Sequence, residues 1–451
     1  MSRSFYTKLV ANLLFPLHEW LKQHHTVKDF KRLEQSQWLN SNEIDQLQAQ
    51  KLRDFIHNIY HHVAYYRNLF DSLDLKPSDI QTKSDLAKLP LLTKELIRNN
   101  FDELSADDAG PLRRFNTGGS SGQPLVFLLG KERVSHDVAA KWRATRWWNV
   151  DIGDKEVVVW GSPIELNKQD RIKIWRDKLF RSKLISAFDL TEEKILSFIE
   201  QINSKKPSML FGYPSVFFLV AKIAKQHQIR LDQIGIKVVF VTSERLYPYQ
   251  RELIEEVFSA PVANGYGGRD AGFIAHQCPA GSLHISAEDI IVEIIDREGK
   301  ILPPDQTGEI VVTHLATGEF PFLRYKTGDV GALSSSKCSC GRQLPILINL
   351  EGRTTDFVVA SDGTIMHGLA LIYILREYPE ISDFKINQES KKKTTIHIVT
   401  TPEFNNDILP IISDKFKQRL GNDVNIEFEF TDKIMPELSG KFRYVVSKVN
   451  I

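Results

Sequence analysis

Cysteine is scarce in this chain, three among 451 residues. No disulfide framework can therefore hold it, and a reducing compartment, the cytoplasm, is expected. An excess of one sign of charge is also lacking: 58 Lys and Arg stand against 57 Asp and Glu, a formal net charge of +1. That balance gives no electrostatic case for nucleic acid or for an anionic membrane, so small-molecule chemistry is the better expectation. Long hydrophobic runs are missing too. The opening MSRSFYTKLVANLLFPLHEWLKQHH is interrupted by Lys8, Pro16, His18 and Glu19. Its apolar patch is too short for a signal peptide or a transmembrane span and reads as an amphipathic helical start. No internal repeat stands out, and the one charge run, Lys391-Lys392-Lys393 before a strand, reads as a solvated turn.

What is present is apolar sequence, 42% of a chain longer than one core usually serves, so a large and a smaller domain are expected. To about residue 105 the pattern is helical, with breaks at Pro77, Pro90 and the turn 107–111. From there to about residue 350, short apolar runs such as Val157–Trp160, Ser208–Phe211, Val238–Val241, Ile290–Ile295 and Ile310–Val312 alternate with amphipathic stretches. This alternation predicts an α/β core. The tail predicts a compact α+β unit: helix Leu369–Glu377, strand Thr394–Val399, helix Ile408–Leu420 and strand Asn425–Phe430. The expected division is 1–352, including the helical lead-in, and 353–451.

Two features carry chemistry. Asn116 to Pro124 offers three glycines that let backbone N–H groups approach an anion, and hydroxyls on Thr117, Ser120 and Ser121. A strand-like run, Leu125–Leu129, follows, and Gln123 stands where a P-loop would carry lysine, so the P-loop pattern does not fit. Taken alone, such a loop also reads as a hairpin connection. Near the end of the chain lies Leu438-Ser439-Gly440-Lys441-Phe442-Arg443. A phosphate loop with one distant, mobile lysine suits carboxylate activation by ATP, since a carboxylate has no leaving group until one is attached.

In order along the chain, Thr117–Pro124, Tyr266-Gly267-Gly268-Arg269-Asp270, Arg324-Tyr325-Lys326-Thr327-Gly328-Asp329, Gly352-Arg353-Thr354-Thr355-Asp356 and Ser439-Gly440-Lys441 resemble the motifs of the adenylate-forming superfamily. The resemblance is to its phenylacetate-CoA ligase branch, with the capsular-polysaccharide-cluster relatives. It implies a large N-terminal domain and a small mobile C-terminal domain. Thr117, Gly118, Gly119, Ser120, Ser121 and Gly122 would hold the ATP phosphates, and Tyr266 and Gly267 the adenine. Asp329 would bind the ribose, with two oxygens matched to a diol. Asp270 would hold Mg²⁺, Arg353 would lie at the hinge beside the nucleotide, and Lys441 would be the catalytic lysine. Asp270 stands where the family usually has Glu, and Thr355 where an acidic hinge residue is common. Tyr213, Pro214 and Gly265 are candidates for the acyl pocket, although Pro214-Ser215 equally suits a helix start.

Cys278, Cys338 and Cys340 are all the cysteines, and with His284 they complete a Cys₃His set, the closed tetrahedron of structural Zn²⁺. His276 is the competing ligand. The expected function is an ATP-dependent acid ligase that forms an acyl-adenylate from a small carboxylic acid and passes the acyl group to CoA. An amide or ester ligase acting on an amine or sugar in polysaccharide biosynthesis, and a nucleotide-binding scaffold without turnover, are the alternatives.

Overall fold

The computed structural model describes residues 4–117, 125–160, 171–187, 191–296, 298–351, 357–434 and 444–449. Helices fill the lead-in, among them Thr26–Ser36, Ser41–His62, Ala64–Ser72 and Lys94–Asn99. The longest starts at Asn40, whose side chain accepts from the Glu43 N–H while Glu43 accepts from the Asn40 N–H. This reciprocal cap fixes its first turn. Its inward stripe of Ile44, Leu52, Phe55, Ile56 and Ile59 recurs at helical spacing and packs into the main core.

An antiparallel hairpin of β1 (Arg113–Asn116) and β2 (Val126–Leu129) follows. The strands of the main sheet then come in chain order: β3 (Glu156–Trp160), β4 (Ser182–Ser186), β5 (Met209–Gly212), β6 (Val238–Thr242), β7 (Val262–Gly268), β8 (Gly272–Gln277), β9 (Leu283–Ile285), β10 (Ile290–Ile295), β11 (Gly308–His314), β12 (Phe322–Leu333) and β13 (Ile346–Glu351). They form one 11-stranded sheet in the order β10-β11-β12-β13-β9-β8-β7-β6-β5-β3-β4. From β4 to β7 the pairing is parallel, and from β7 to β10 it is antiparallel.

The parallel half is buried on both faces, which is why its strands read as continuous apolar runs. Val157, Val159, Leu210, Val239 and Val241 pack on helices Glu192–Lys205, Pro214–Gln226 and Pro248–Phe258. The alternate residues Met209, Phe211, Val238, Phe240 and Ala263 pack with Ala144 of helix Lys131–Arg146. A short β14 (Phe357–Val359) and β15 (Ile365–His367) pair with each other. The C-terminal unit then builds a separate four-stranded sheet from β16 (Ile381–Ser390), β17 (Lys393–Thr400), β18 (Asn425–Phe430) and β19 (Val445–Ser447). Helices Leu369–Leu375 and Ile408–Leu420 cover it, and its core, with Ile386, Ile396, Ile412 and Phe416, is its own. The fold is therefore α/β with a large sheet domain and a separate C-terminal domain. Lys391 and Lys392 form the turn between β16 and β17.

Candidate active site

In an open α/β sheet the carboxyl ends of the parallel strands are where backbone polar groups face a crevice. β3 ends there in Trp160, β5 in Gly212 followed by Tyr213, and β7 in Gly265–Gly268. Tyr213 caps helix Pro214–Gln226, with Pro214 in its first turn, so the helix-start role of this pair is realised. Its ring also stacks on Trp160, centroids 4.9 Å apart and planes 16° from parallel. A Cβ at Gly212 would lie 2.4 Å from the Val159 carbonyl, and one at Gly265 2.9 Å from the Phe240 ring. Both positions need glycine because a neighbouring strand or ring fills the space.

β7 turns into β8 through Arg269, Asp270 and Ala271. A Cβ on Gly267 would meet the Gly272 carbonyl at 2.2 Å, and one on Gly268 would meet Asp270 Oδ1 at 2.6 Å. The glycine pair thus permits a turn tight enough to fold Asp270 back. Its carboxylate is held from two sides: the Ala271 N–H donates to Oδ1 at 3.0 Å, and the Tyr325 hydroxyl donates to Oδ2 at 2.6 Å. The backbone is gripped as well, because the Arg133 guanidinium donates to the carbonyls of Asp270 (3.2 Å) and Arg269 (3.4 Å).

Arg133 is itself buried, 1% exposed, and such a charge is tolerated only with a partner. Asp137 supplies it at 2.9 Å, one helical turn on. Burial alone would raise the Asp137 carboxyl, but Arg133 together with His136 and His314 holds it well below the usual carboxylate range. Burial, with Arg133 adding to it, pushes the His314 imidazole down to about 3.

Asp329 reaches the same place along β12, which carries two irregularities. Val312 pairs with Tyr325 and His314 with Phe322, one extra residue on β12, and Arg324 there takes a left-handed φ of 51°. The bulge is held by a bidentate Arg324–Glu293 pair at 2.9 and 3.1 Å and re-aims Tyr325 toward Asp270. Further along, Gly328 has φ 79°, the Thr327 hydroxyl donates to the Ile310 carbonyl at 2.9 Å, and the Asp329 N–H donates to that hydroxyl at 3.1 Å. The Tyr266 hydroxyl then donates to Asp329 Oδ2 at 3.1 Å. Tyr266, Asp270 and Asp329, scattered in the sequence, therefore form one cluster with Tyr325.

The hairpin β1–β2 packs beside it through Phe127 against Phe322 and Phe322 against Tyr325, at 5.8 and 5.1 Å. Thr117 closes the hairpin: its N–H donates to the Leu125 carbonyl at 2.9 Å, and its hydroxyl accepts from the Leu125 N–H at 3.0 Å. Gly118, Gly119, Ser120, Ser121, Gly122, Arg353 and Lys441 lie outside the described residues. Tyr325's contact with Asp270, and the whole contribution of Arg133, were not apparent from sequence. Arg133 is 137 positions from Asp270 and belongs to no motif, so only the fold could find it.

The cysteines gather on the antiparallel half. Sγ of Cys278, Cys338 and Cys340 and a ring nitrogen of His284 all lie within 4.8 Å of one another. Cys278 Sγ is 3.6 Å from Cys338 Sγ, and Cys340 Sγ is 3.3 Å from His284 Nε2. A zinc tetrahedron has ligand edges of about 3.3–3.8 Å. His284 Nδ1 donates to the Leu344 carbonyl at 3.2 Å, which leaves Nε2 with its lone pair toward the sulfurs. Gly281 and Gly341 take φ of 93° and 84° in the two cysteine turns, conformations that favour glycine. His276 faces His284 across β8 and β9 yet stacks on Phe273 at 5.4 Å and stays outside the cluster, so His284 is the imidazole of the set.

Residues 358–448 match the family described as the CapK C-terminal domain. Over 437 residues the chain is 26% identical to Protein CapK of Staphylococcus aureus, covering 95% of this chain and 94% of the relative. It is 24% identical over 334 residues to phenylacetate-coenzyme A ligase of Aromatoleum evansii, 72% of this chain and 74% of that one. The Thermus thermophilus phenylacetate-coenzyme A ligase is 22% identical over 344 residues, 74% and 76%. Among solved structures, 2-hydroxyisobutyryl-CoA ligase with 2-HIB-AMP and CoA in the thioesterification state shares the fold, with a TM-score of 0.64 at 18% identity over 91% of this chain and 90% of that one. Along nearly its whole length the chain is thus similar to CapK, over about three quarters of it to the phenylacetate-CoA ligases, and its fold is that of an acyl-CoA ligase.

Proposed function

We propose that this chain is an ATP-dependent carboxylic acid ligase, in which a carboxylate oxygen attacks the α-phosphorus of ATP, pyrophosphate leaves, and CoA thiol then displaces AMP from the acyl-adenylate. The observation that carries the reading is the clamped Asp270, held by Tyr325, the Ala271 N–H and Arg133 at the carboxyl end of β7 beside the Tyr266–Asp329 pair. Asp270 is a hard oxygen donor suited to Mg²⁺, which neutralises charge building on the phosphates. Asp329, oriented by the Tyr266 hydroxyl, suits the ribose diol. Thr117 and the glycines 118, 119 and 122 with Ser120 and Ser121 take the phosphates. Lys441 brings its ammonium between the two anions, where it offsets their repulsion. Trp160 and Tyr213 with Pro214 and Gly265 line the acid's pocket. A domain division at 352/353, with Arg353 at the hinge, lets the small domain present Lys441 in the first step and withdraw it in the second.

The Cys₃His cluster fits Zn²⁺ in donor type, spacing and the fixed His284 tautomer, with a structural role because four protein ligands leave no open position. The chemistry fits a cytoplasmic enzyme. A different acceptor, an amine or hydroxyl of a sugar, is the second reading, and it has only weak support from the CapK match, which runs over 95% of the chain where that of the Aromatoleum evansii phenylacetate-CoA ligase covers 72%. Pyrophosphate release across a panel of carboxylic acids, run with CoA, with amine or sugar acceptors, and with neither, tests both. Acid-dependent release with thiol consumption supports the CoA ligase, and amine or hydroxyl consumption supports the second reading. Absence of acid-dependent release leaves a nucleotide-binding scaffold and defeats both.

A further inference from the structure

The balanced net charge conceals a one-sided face far from the candidate active site. Residues 5–21 are helical. Thr7, Val10, Phe15 and Glu19 are turned inward, with Thr7 bonded to Asp154 and Val10 against Gly153. The outward side is where a surface helix normally carries polar residues. Here it carries Phe5, Leu13, Leu17, Trp20 and Leu21, which are 84, 56, 49, 71 and 68% exposed. Its neighbour, helix Arg171–Leu179, repeats the inversion with Ile174, Trp175 and Leu179 at 43, 72 and 44%. The two helices adjoin: the Tyr6 hydroxyl donates to the Leu179 carbonyl at 2.8 Å, Arg181 lies 3.9 Å over the Tyr6 ring, and Phe180 packs edge-on against Phe15 and His18. Of fourteen large apolar side chains exposed among the described residues, these two helices hold eight. Isolated exposed apolar side chains are ordinary, but a contiguous set of this size marks an interaction surface.

The same helix forms a wall of a cavity of about 590 Å³. Lys155, Lys178, Arg181, Lys183 and Lys205 line it, with Glu156 and Asp177 as its acids. Those acids pair with Lys141 and Arg176. The cavity lies at the amino ends of β3 and β4, the opposite end of the sheet from Trp160 and Tyr213. Exposed Lys8 and Lys22 flank the apolar stripe.

We propose that this face docks on an anionic phospholipid surface, with the apolar stripe entering the boundary between headgroups and acyl chains and the cationic cavity receiving a lipid phosphate. The pairing of chemistries argues for this occupant. Trp20 and Trp175 are amphipathic rings suited to interface depth, and basic side chains beside an apolar stripe meet the anionic headgroups just above it. A second copy of the chain on this face would set two cationic cavities beside one another, which like-charge repulsion opposes. No helix among the described residues is long and apolar enough to cross a membrane, so the face lies on the bilayer and does not span it.

The test is flotation of the full chain with vesicles of phosphatidylcholine alone and of phosphatidylcholine mixed with phosphatidylglycerol, followed by tryptophan emission. The expected result is binding to the mixed vesicles with a blue shift, weakened by salt. The double variant Trp20→Ser, Trp175→Ser should weaken it at least about tenfold. Lys178→Glu with Lys183→Glu should remove the preference for the anionic lipid, and in both variants acid-dependent pyrophosphate release should stay at the parent level. Failure of the parent to float with mixed vesicles overturns the proposal, as does saturation of the cavity by inorganic phosphate without vesicle binding. A dimer in analytical ultracentrifugation that the tryptophan variant disperses, with no flotation, assigns the face to a second copy and overturns it equally.

Discussion

Asp270 and Tyr325 stand 55 positions apart in the chain and share a hydrogen bond of 2.6 Å. A carboxylate meant for a metal gains from a donor that fixes its orientation before the metal arrives. Tyr325→Phe keeps the ring against Phe322 and removes only the donor, so the expected outcome is about tenfold slower pyrophosphate release with a raised Mg²⁺ requirement and little change in Tm. An unchanged Mg²⁺ titration would separate Tyr325 from the metal. Asp270→Asn should cost about 100-fold or more in adenylation while weakening ATP binding less, because the metal contributes most as charge develops in the transition state. On the proposed function, Lys441→Ala should be step-specific: adenylation should fall by orders of magnitude while acyl transfer from chemically supplied acyl-AMP persists. Near-normal pyrophosphate release would make Lys441 a surface lysine and the mechanism as drawn wrong.

At the scale of elements, the Cys₃His cluster joins the turn after β8 and His284 on β9 to the loop between β12 and β13. β7, which bears Tyr266, and β12, which bears Asp329, are the neighbours of the stapled strands β8 and β13. Arg342, just after Cys340, lies between Trp38 and Trp147 at 4.7 and 4.5 Å and extends the staple to the helical lead-in. Purified protein should therefore carry about one zinc per chain, and Cys340→Ser should lose it together with about 10 °C or more of Tm. Metal-free protein of unchanged Tm and activity under reducing conditions would show that the thiols are merely packed together.

Across the whole molecule, buried histidines add to the response to acid of the paired carboxylates such as Asp137 and Asp289. His276, stacked on Phe273, has neither ring nitrogen hydrogen-bonded among the described residues, and burial pushes it from 6.5 down to about 3. The folded chain keeps it neutral while the unfolded chain protonates it below about pH 6.5, so its contribution is complete above that pH and is lost as pH falls toward 3. His276→Phe removes the proton uptake and fits a ring site. The stability advantage of the variant over the parent should grow by about 2 kcal/mol between pH 8 and pH 5, read from denaturant unfolding. A difference that does not vary with pH would mean that the fold does not exclude the proton. Comparing variant with parent also cancels the opposing trend of Glu132, which burial and Glu319 raise to about 7.

Elements whose signal is local are legible in the residue pattern. Helix Ile408–Leu420 and strand Asn425–Phe430 fall where periodicity put them, and the apolar runs at Val157, Val238 and Ile290 became strands of the main sheet. The cysteine set was legible because scarce cysteines have few ways to combine. Long-range packing supplies what no local pattern encodes: that His284 and not His276 joins the thiols, that a bulge at Arg324 turns Tyr325 onto Asp270, and that Arg133 grips the same turn from a helix 137 positions away. It also decided where charge gathers. A net charge of +1 is a sum over the chain, whereas Lys155, Lys178, Arg181, Lys183 and Lys205 share one cavity because β3, β4 and the turn before β5 start side by side. Electrostatic attraction falls off within about a Debye length, roughly 10 Å, so that neighbourhood and not the total governs what the surface can bind.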